Sequence, residues 1–438
     1  MTDRVVARAP SELIQRPSDG RRTDGVQVPT GVVGQSTLFT VASVLVSLVA
    51  MGCSALAARS LTTDEFGGFA LTKALLLFLG LVFEFGVCSA AARRVAQAPT
   101  FERGRVLGAT FLAMAPLAVG LSVVVFLLVP VADRTFHVQA ATALALSAPF
   151  GFAYLFRQQV ALQLSRAVGR LHVYSLTTLL GQALFFLLLA IAVAAGGAHG
   201  LPTVLTLQSV AFAAASVVAI VWLRPTFRRA RAYVPALLAD TRRWAFQLYV
   251  GRVLSIGTYN MDVLMLGVFA NARSVGYYAI AGSIGSVAIL PTTGFTSALF
   301  PKMVHERRID PRRIALAYMI GAASVLAVWL LAEPFVTLVF SDRYREAATL
   351  AIPMTIASSL MGVTTVYSTF LSAQARGREL RDAGFVLTGS NIVLNIGLIP
   401  PFGATGAAWA SVGAVLANLG AHMALYRRAM RASVAGSA

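Results

Sequence analysis

Six ionisable side chains interrupt otherwise apolar stretches of this sequence: Lys73, Glu84, Arg157, Arg252, Asp262 and Glu333. A charge at the centre of a bilayer costs about 2.5–3.5 kcal/mol on insertion scales, so each such group needs a reason. Lys73 and Glu84 stand eleven residues apart, which on a helix is about 20° around the axis and roughly 16 Å along it. They share a stripe but cannot pair with each other, and the stripe must face a polar cleft rather than lipid. Two readings stay open. Each charge pairs with a neighbouring helix as structural glue, or Lys73, Arg157 and Arg252 together make a cleft cationic for phosphate oxygens. Arg suits the second role because its planar fork engages phosphate in bidentate fashion and stays protonated. Arg157 is also close enough to a helix end to snorkel towards water.

The carboxylates suggest different chemistry. Asp262 lies in a run with Tyr259 and Asn260, past the midpoint of its apolar stretch. A semi-buried carboxylate there is what coupling to H+ or Na+ would require, and Glu84 is the second candidate for that role. A plain helix–helix contact is the alternative for Asp262. Arg252, ten residues earlier and about 80° round the helix, is no simple partner for it. Glu333 precedes Pro334, where a helix is expected to end, and reads as interfacial. Asn391 and Asn395, four apart on one face, could bond sugar hydroxyls or neighbouring helices.

The elements that hold these residues follow from composition. The chain has 438 residues, 57% hydrophobic and 12% charged, against about 25% charged in a soluble domain. That excludes an ordinary soluble enzyme. A membrane-crossing helix needs roughly 20 mostly apolar residues. Stretches of that kind fall at 35–58, 67–91, 106–130, 140–164, 173–196, 201–223, 245–270, 274–299, 314–338, 346–371, 382–400 and 405–426. The expectation is an all-α integral membrane protein of twelve transmembrane helices. Residues 1–34 are polar and read as a disordered cytoplasmic tail. A first bundle follows at 35–223, a basic cytoplasmic linker at 224–244, a second bundle at 245–427 and a cytoplasmic tail at 428–438.

The net charge of +18 raises the question of a nucleic-acid partner. Sorting the cations answers it. Of 36 Lys and Arg, 28 fall in the two termini and the five loops on one side, and five (Arg59, Arg134, Arg273, Arg343 and Arg345) on the other. Cations collect on the cytoplasmic side, so both termini are expected there and no nucleic acid is needed. The chain also repeats itself. FGGFAL (66–71) matches VGYYAI (275–280), with Gly67 on Gly276 and Phe69 on Tyr278 at an offset of 209. Gly169-Arg170 overlies Gly377-Arg378 at 208, and Gly200 overlies Gly406 at 206. Each half has six spans, so the halves are parallel repeats about an axis along the membrane normal. None of the in-span charges is shared: Lys73 falls on Gly282, Glu84 on Thr293, Asp262 on Cys53 and Arg252 on Ser43. Unshared charges are the better candidates for function.

Motifs of nucleophilic, metal or nucleotide chemistry are absent from the sequence: no GxSxG, HExxH, GxxxxGK or CxxC occurs, and no cofactor is expected. The run from Tyr259 to Val304 resembles the seventh and eighth spans of the polysaccharide (O-antigen-type) flippase family, in the superfamily that includes the MATE exporters. LTTDEFGGFAL (61–71), LQLSRAVGR (162–170), SAQARGRE (372–379) and PPFGATGAAWAS (400–411) support the resemblance over about residues 31–428. It implies two six-helix bundles in a MATE-like fold, and export of a polyprenyl-pyrophosphate-linked oligosaccharide across the inner membrane by alternating access. Membrane lipids and that lipid-linked glycan are the implied partners, and H+ or Na+ the energy source. A MATE-type drug or cation exporter is the rival, whose cleft should be acidic. A membrane-embedded glycosyl polymerase or ligase would need a large external loop, which is missing here.

Overall fold

The computed structural model describes residues 30–136, 141–196, 200–303, 306, 308–374 and 376–435. Its helices are α1 (Thr30–Ser60), α2 (Thr63–Val82), α3 (Val87–Gln97), α4 (Thr100–Phe136), α5 (Ala141–Ser147), α6 (Gly151–Leu155), α7 (Ala161–Val168), α8 (Leu171–Ala194) and α9 (Gly200–Leu223). The second half continues with α10 (Val234–Asp240), α11 (Phe246–Phe269), α12 (Ala272–Ala288), α13 (Leu290–Met303), α14 (Pro311–Val339), α15 (Glu346–Ala373) and α16 (Gly377–Ala435). Among the described residues, nine helices are long and apolar enough to cross a membrane. Large apolar side chains such as Phe126, Leu127, Ile191, Trp329 and Leu330 point outward, as lipid-facing surface should. This is an all-α, multi-pass membrane protein.

Several boundaries differ from the sequence expectation for local reasons. Residues 1–29 lie outside the described residues, and α1 begins at Thr30, inside the stretch read as tail, directly after Pro29. The second apolar stretch is not one helix. It breaks at residues 83–86, where Phe85 and Gly86 both take positive φ (47° and 83°), and Glu84 sits inside the break. Pro334 does not end α14, which runs on to Val339. The last two stretches, which together make up α16, are two helices that meet at a kink, where Gly403 takes non-helical backbone angles (φ 55°, ψ −132°), in agreement with the two stretches expected at 382–400 and 405–426. The basic linker is ordered: the Thr226 amide donates to the Gly104 carbonyl at 2.7 Å, and α10 packs on α3 and α4. A π-helical turn at Thr241–Ala245 joins α10 to α11.

The repeat sets how the halves meet. The side chains of Thr62 and Asn271, 209 apart, each cap a helix by accepting the amide three residues on, from Glu65 at 3.3 Å and Ser274 at 2.8 Å. Such caps satisfy amides that the first turn leaves without a partner. The two helices so started, α2 and α12, cross at Gly67 and Gly276. A Cβ on Gly67 would lie 1.7 Å from the Ala272 carbonyl oxygen, and one on Gly276 would lie 3.4 Å from the Thr63 carbonyl oxygen. Thr63 and Ala272 are themselves repeat mates. The shared glycines therefore mark the place where each half touches the other's equivalent backbone. Asp64 and Arg273, another 209 pair, approach to 3.8 Å on the exposed rim of this crossing.

Candidate functional site

Two cavities flank α12. The first, about 310 Å³, lies between the halves. Its polar lining is Ser47 and Ser54 from α1, Lys73 from α2, Asn260 from α11, and Ser283 and Ser286 from α12, with the Phe66 and Phe69 rings beside them. The Lys73 ammonium lies 5.8 Å from the Phe69 ring centroid. Among the described residues no carboxylate comes within ion-pair distance of it. The predicted cleft-facing lysine is therefore in a cavity, with its charge uncompensated there.

The second cavity, about 410 Å³, lies inside the second half and shares Ala279 and Ser286 with the first. Asp262 lines it and is 6% exposed. Tyr278 and Ser411 hydroxyls donate to its Oδ2 at 2.7 and 2.8 Å, and Asn395 Nδ2 donates to its Oδ1 at 2.7 Å. The same Asn395 amide reaches Asn391 Oδ1 at 3.1 Å. Hydrogen-bond donors spread the negative charge, but no cationic side chain pairs with Asp262 among the described residues. A buried carboxylate without a countercharge is costly unless a proton or a metal cation joins it. The asparagines face this carboxylate, away from the central cavity, and three elements separated in sequence (α11, α12 and α16) supply the cluster.

Glu84 and Arg252, assigned separate roles from sequence, pair with each other across the halves. The Glu84 side chain is fully buried, and its Oε1 also accepts the Cys88 amide at 2.7 Å, capping α3 after the break. Arg252 completes the contact through Ser89 Oγ at 3.1 Å, and Ser89 reaches Gln163. Arg157 lies elsewhere, inside the first half, with its guanidinium 3.7 Å from the Phe212 ring centroid. It does not line the central cavity. The interfacial reading of Glu333 agrees with its exposed pairing to Arg345. Cys53 and Cys88 are both buried and free. His137, His199 and His305 lie outside the described residues.

The halves touch at both ends of the central cavity. At the arginine-poor end, the Arg59 guanidinium donates to the Val339 carbonyl at 2.9 Å, Arg343 donates to the Arg59 carbonyl at 3.3 Å, and the Tyr344 hydroxyl donates to the Ala58 carbonyl at 3.1 Å. Burial pushes the Tyr344 phenol well above its ordinary pKa, so it remains a donor. At the arginine-rich end, the Tyr249 hydroxyl donates to the Val82 carbonyl at 2.5 Å and Arg93 stacks on Trp244 at 5.0 Å, while Arg94 holds Asp240 of the linker at 2.5 Å. With Glu84–Arg252 these contacts close that end as well.

A family model described as polysaccharide biosynthesis protein matches residues 33–306, more than half of the chain. The chain belongs to that family. Probable flippase AglR of Haloferax volcanii is 25% identical over 165 residues, 35% of this chain. The match spans about a third (34%) of that relative's length. Solved structures of similar fold include the lipid II flippase MurJ in an inward closed conformation, with a TM-score of 0.72, 13% identity, and 88% of this chain and 87% of that one covered. An inward-facing MATE family transporter of the MOP superfamily gives 0.70 at 17% identity, over 90% and 96%. The members of this group are flippases and transporters, and the fold here is theirs.

Sequence reasoning missed the hydroxyl groups. Ser47, Ser54, Ser283 and Ser286 were invisible because a lone serine in an apolar helix has no distinguishing pattern. Tyr278 and Ser411 both fall in segments that carry the family resemblance. The available signal was the repeat itself, since Tyr278 has a hydroxyl where its mate Phe69 has none.

Proposed function

We propose that this protein is an inner-membrane flippase that moves a polyprenyl-pyrophosphate-linked oligosaccharide from the cytoplasmic to the outer leaflet. Twelve crossings form two six-helix bundles, with both termini cytoplasmic and the arginine-poor end outside. The observation that carries this reading is the cavity between the halves, which combines one uncompensated cation with hydroxyls, an amide and aromatic faces. Lys73 meets a phosphate oxygen of the carrier. Ser47, Ser54, Asn260, Ser283 and Ser286 exchange hydrogen bonds with sugar hydroxyls, and the Phe66 and Phe69 rings offer apolar faces to the sugar. The polyprenyl tail stays in the bilayer.

Alternating access then requires the two closures to open in turn. Inside, Glu84–Arg252 separates, and Arg252 is released to the incoming pyrophosphate. Outside, the α2–α12 crossing opens. Asp262 takes up H+ or Na+ and supplies the coupling, with Asn391 and Asn395 as its partners. A MATE-type exporter has a nearly equal likeness in fold; the lysine in the central cavity, whose lining holds no carboxylate among the described residues, favours an anionic cargo.

The test is Lys73→Ala in the cell that makes the polysaccharide. A charge-assisted hydrogen bond contributes about 1.5–3 kcal/mol, so export should fall roughly tenfold or more, with lipid-linked oligosaccharide accumulating on the cytoplasmic side. Mass spectrometry of the lipid fraction identifies the cargo. Unchanged surface polysaccharide with normal protein levels would overturn the site.

A further inference from the structure

α12 carries two features two residues apart. Gly276 is the close crossing with α2 at the arginine-poor end, and Tyr278 donates to Asp262 Oδ2 at 2.7 Å. The same helix is the wall between the two cavities, through Ala279 and Ser286. We infer that Tyr278 is a positioning residue: through it the occupancy of the Asp262 carboxylate sets whether the α2–α12 crossing is closed. The inference rests on the reading of Asp262 as the coupling group and extends it to a transmission path.

The physical argument begins with donor and acceptor roles. A bare carboxylate oxygen accepts, and it receives both the Tyr278 and Ser411 hydroxyls, whose own oxygens are 3.1 Å apart. A proton on Oδ2, or a cation beside it, reverses the field that those O–H dipoles face. The phenol must then turn its hydrogen away or withdraw. Its ring is an extension of α12, whose crossing has no slack, because Gly67 meets the Ala272 carbonyl backbone to backbone. A packed contact of this kind switches rather than stretches. Ser411 makes the same bond from α16, which takes no part in the crossing. The first half cannot do this, because the Tyr278 mate is Phe69.

The groups around Asp262 leave Tyr278 in charge of the link. Asn391, Asn395 and Ser411 face it from α16, and Tyr278 faces it from α12. On the remaining elements packed against α11, Lys73 of α2 opens into the other cavity, Glu84, in the break before α3, is held by Arg252 of α11 itself, Arg242 and Arg243 of the π-helical turn are exposed, and the charges of α4 sit in its end turns. His422 bonds the Asn418 carbonyl of its own helix, eleven residues beyond Ser411.

The experiment uses the full chain with Cys53 and Cys88 changed to Ala, and Ala70→Cys as a single reporter. Ala70 lines the central cavity one turn inside the crossing, so a membrane-impermeant maleimide added outside reaches it only when that end opens. Labelling rates, each divided by the rate for the same protein unfolded in detergent at the same pH so that thiol ionisation cancels, are compared at about pH 5.5 and 8.5, each with and without Na+, the two ligands Asp262 would take. The parent should show a change of at least about fivefold, the lower range of allosteric coupling. Tyr278→Phe, which keeps the ring, should cut that to under about twofold, and Ser411→Ala should keep it. A Tyr278→Phe protein that elutes like the parent in detergent but retains the full change would overturn the inference, as would equal loss in Ser411→Ala. Asp262→Asn separates the two levels. If it abolishes the change while Tyr278→Phe does not, only the transmission path fails. If it leaves the change intact, or the parent shows none, the coupling reading fails with it.

Discussion

The two halves of the protein are one scaffold put to opposite electrostatic use. Residues 209 apart start the same helices with the same kind of cap, and cross at the same glycine. The membrane-embedded charges differ. In the first half Lys73 lies near Phe69 and opens into the central cavity; in the second, Tyr278 takes the place of Phe69 and bonds a carboxylate in a separate cavity. Duplication provides the crossing geometry twice, and under the proposed function the unshared side chains divide cargo recognition from energy coupling. A symmetric pair of lysines or of aspartates would not achieve this division.

The comparison can be broken at its shared point first. Gly67→Val should have the largest effect, since even a Cβ would meet backbone at 1.7 Å, whereas the Gly276 neighbours stand at 3.3 Å or more. We expect Gly67→Val to abolish export and Gly276→Ala to retain part of it, measured as surface polysaccharide at matched protein levels. Equal tolerance would mean that the crossing is not where the halves touch.

Next comes the pair that bridges the halves. Arg252→Met strands a fully buried carboxylate and should destabilise the protein by about 3–5 kcal/mol. Adding Glu84→Gln should recover much of that loss, because the cost is the orphaned charge rather than the lost attraction. Thermal unfolding in detergent reads both, and additive losses would refute the pairing. A smaller effect is expected for Lys73→Arg, which keeps the charge and should retain export within about threefold of the parent if charge rather than shape matters. Arg157→Gln should be smaller still in transport, because the guanidinium packs on Phe212 away from the cavity.

Much of this division was legible in sequence. The six in-span charges, the repeat and the arginine asymmetry follow from composition and spacing. Their pairing does not, since Glu84 and Arg252 are 168 positions apart and nothing in either segment names the other. Helical geometry applied to 67–91 also assumed one straight helix, whereas the break at 83–86 turns Glu84 out of the Lys73 stripe and towards α11. Asn391 and Asn395 were correctly placed on one face, but only packing reveals that Asp262 occupies the space in front of Asn395. Arg157 could not be told from a cavity residue because a partner such as Phe212 leaves no mark in its own span.

The linker has a mechanical consequence. Thr226 is fastened to α4 and Asp240 to Arg94 of α3, so residues 224–240 travel with the first bundle as a strut. Any rotation of the second bundle must be absorbed in the few residues between that strut and α11, the π-helical turn at Thr241–Ala245. Under the proposed alternating access, the joint is therefore one wide helical turn, set next to the Glu84–Arg252 pair, so that bending and unlatching act at the same spot.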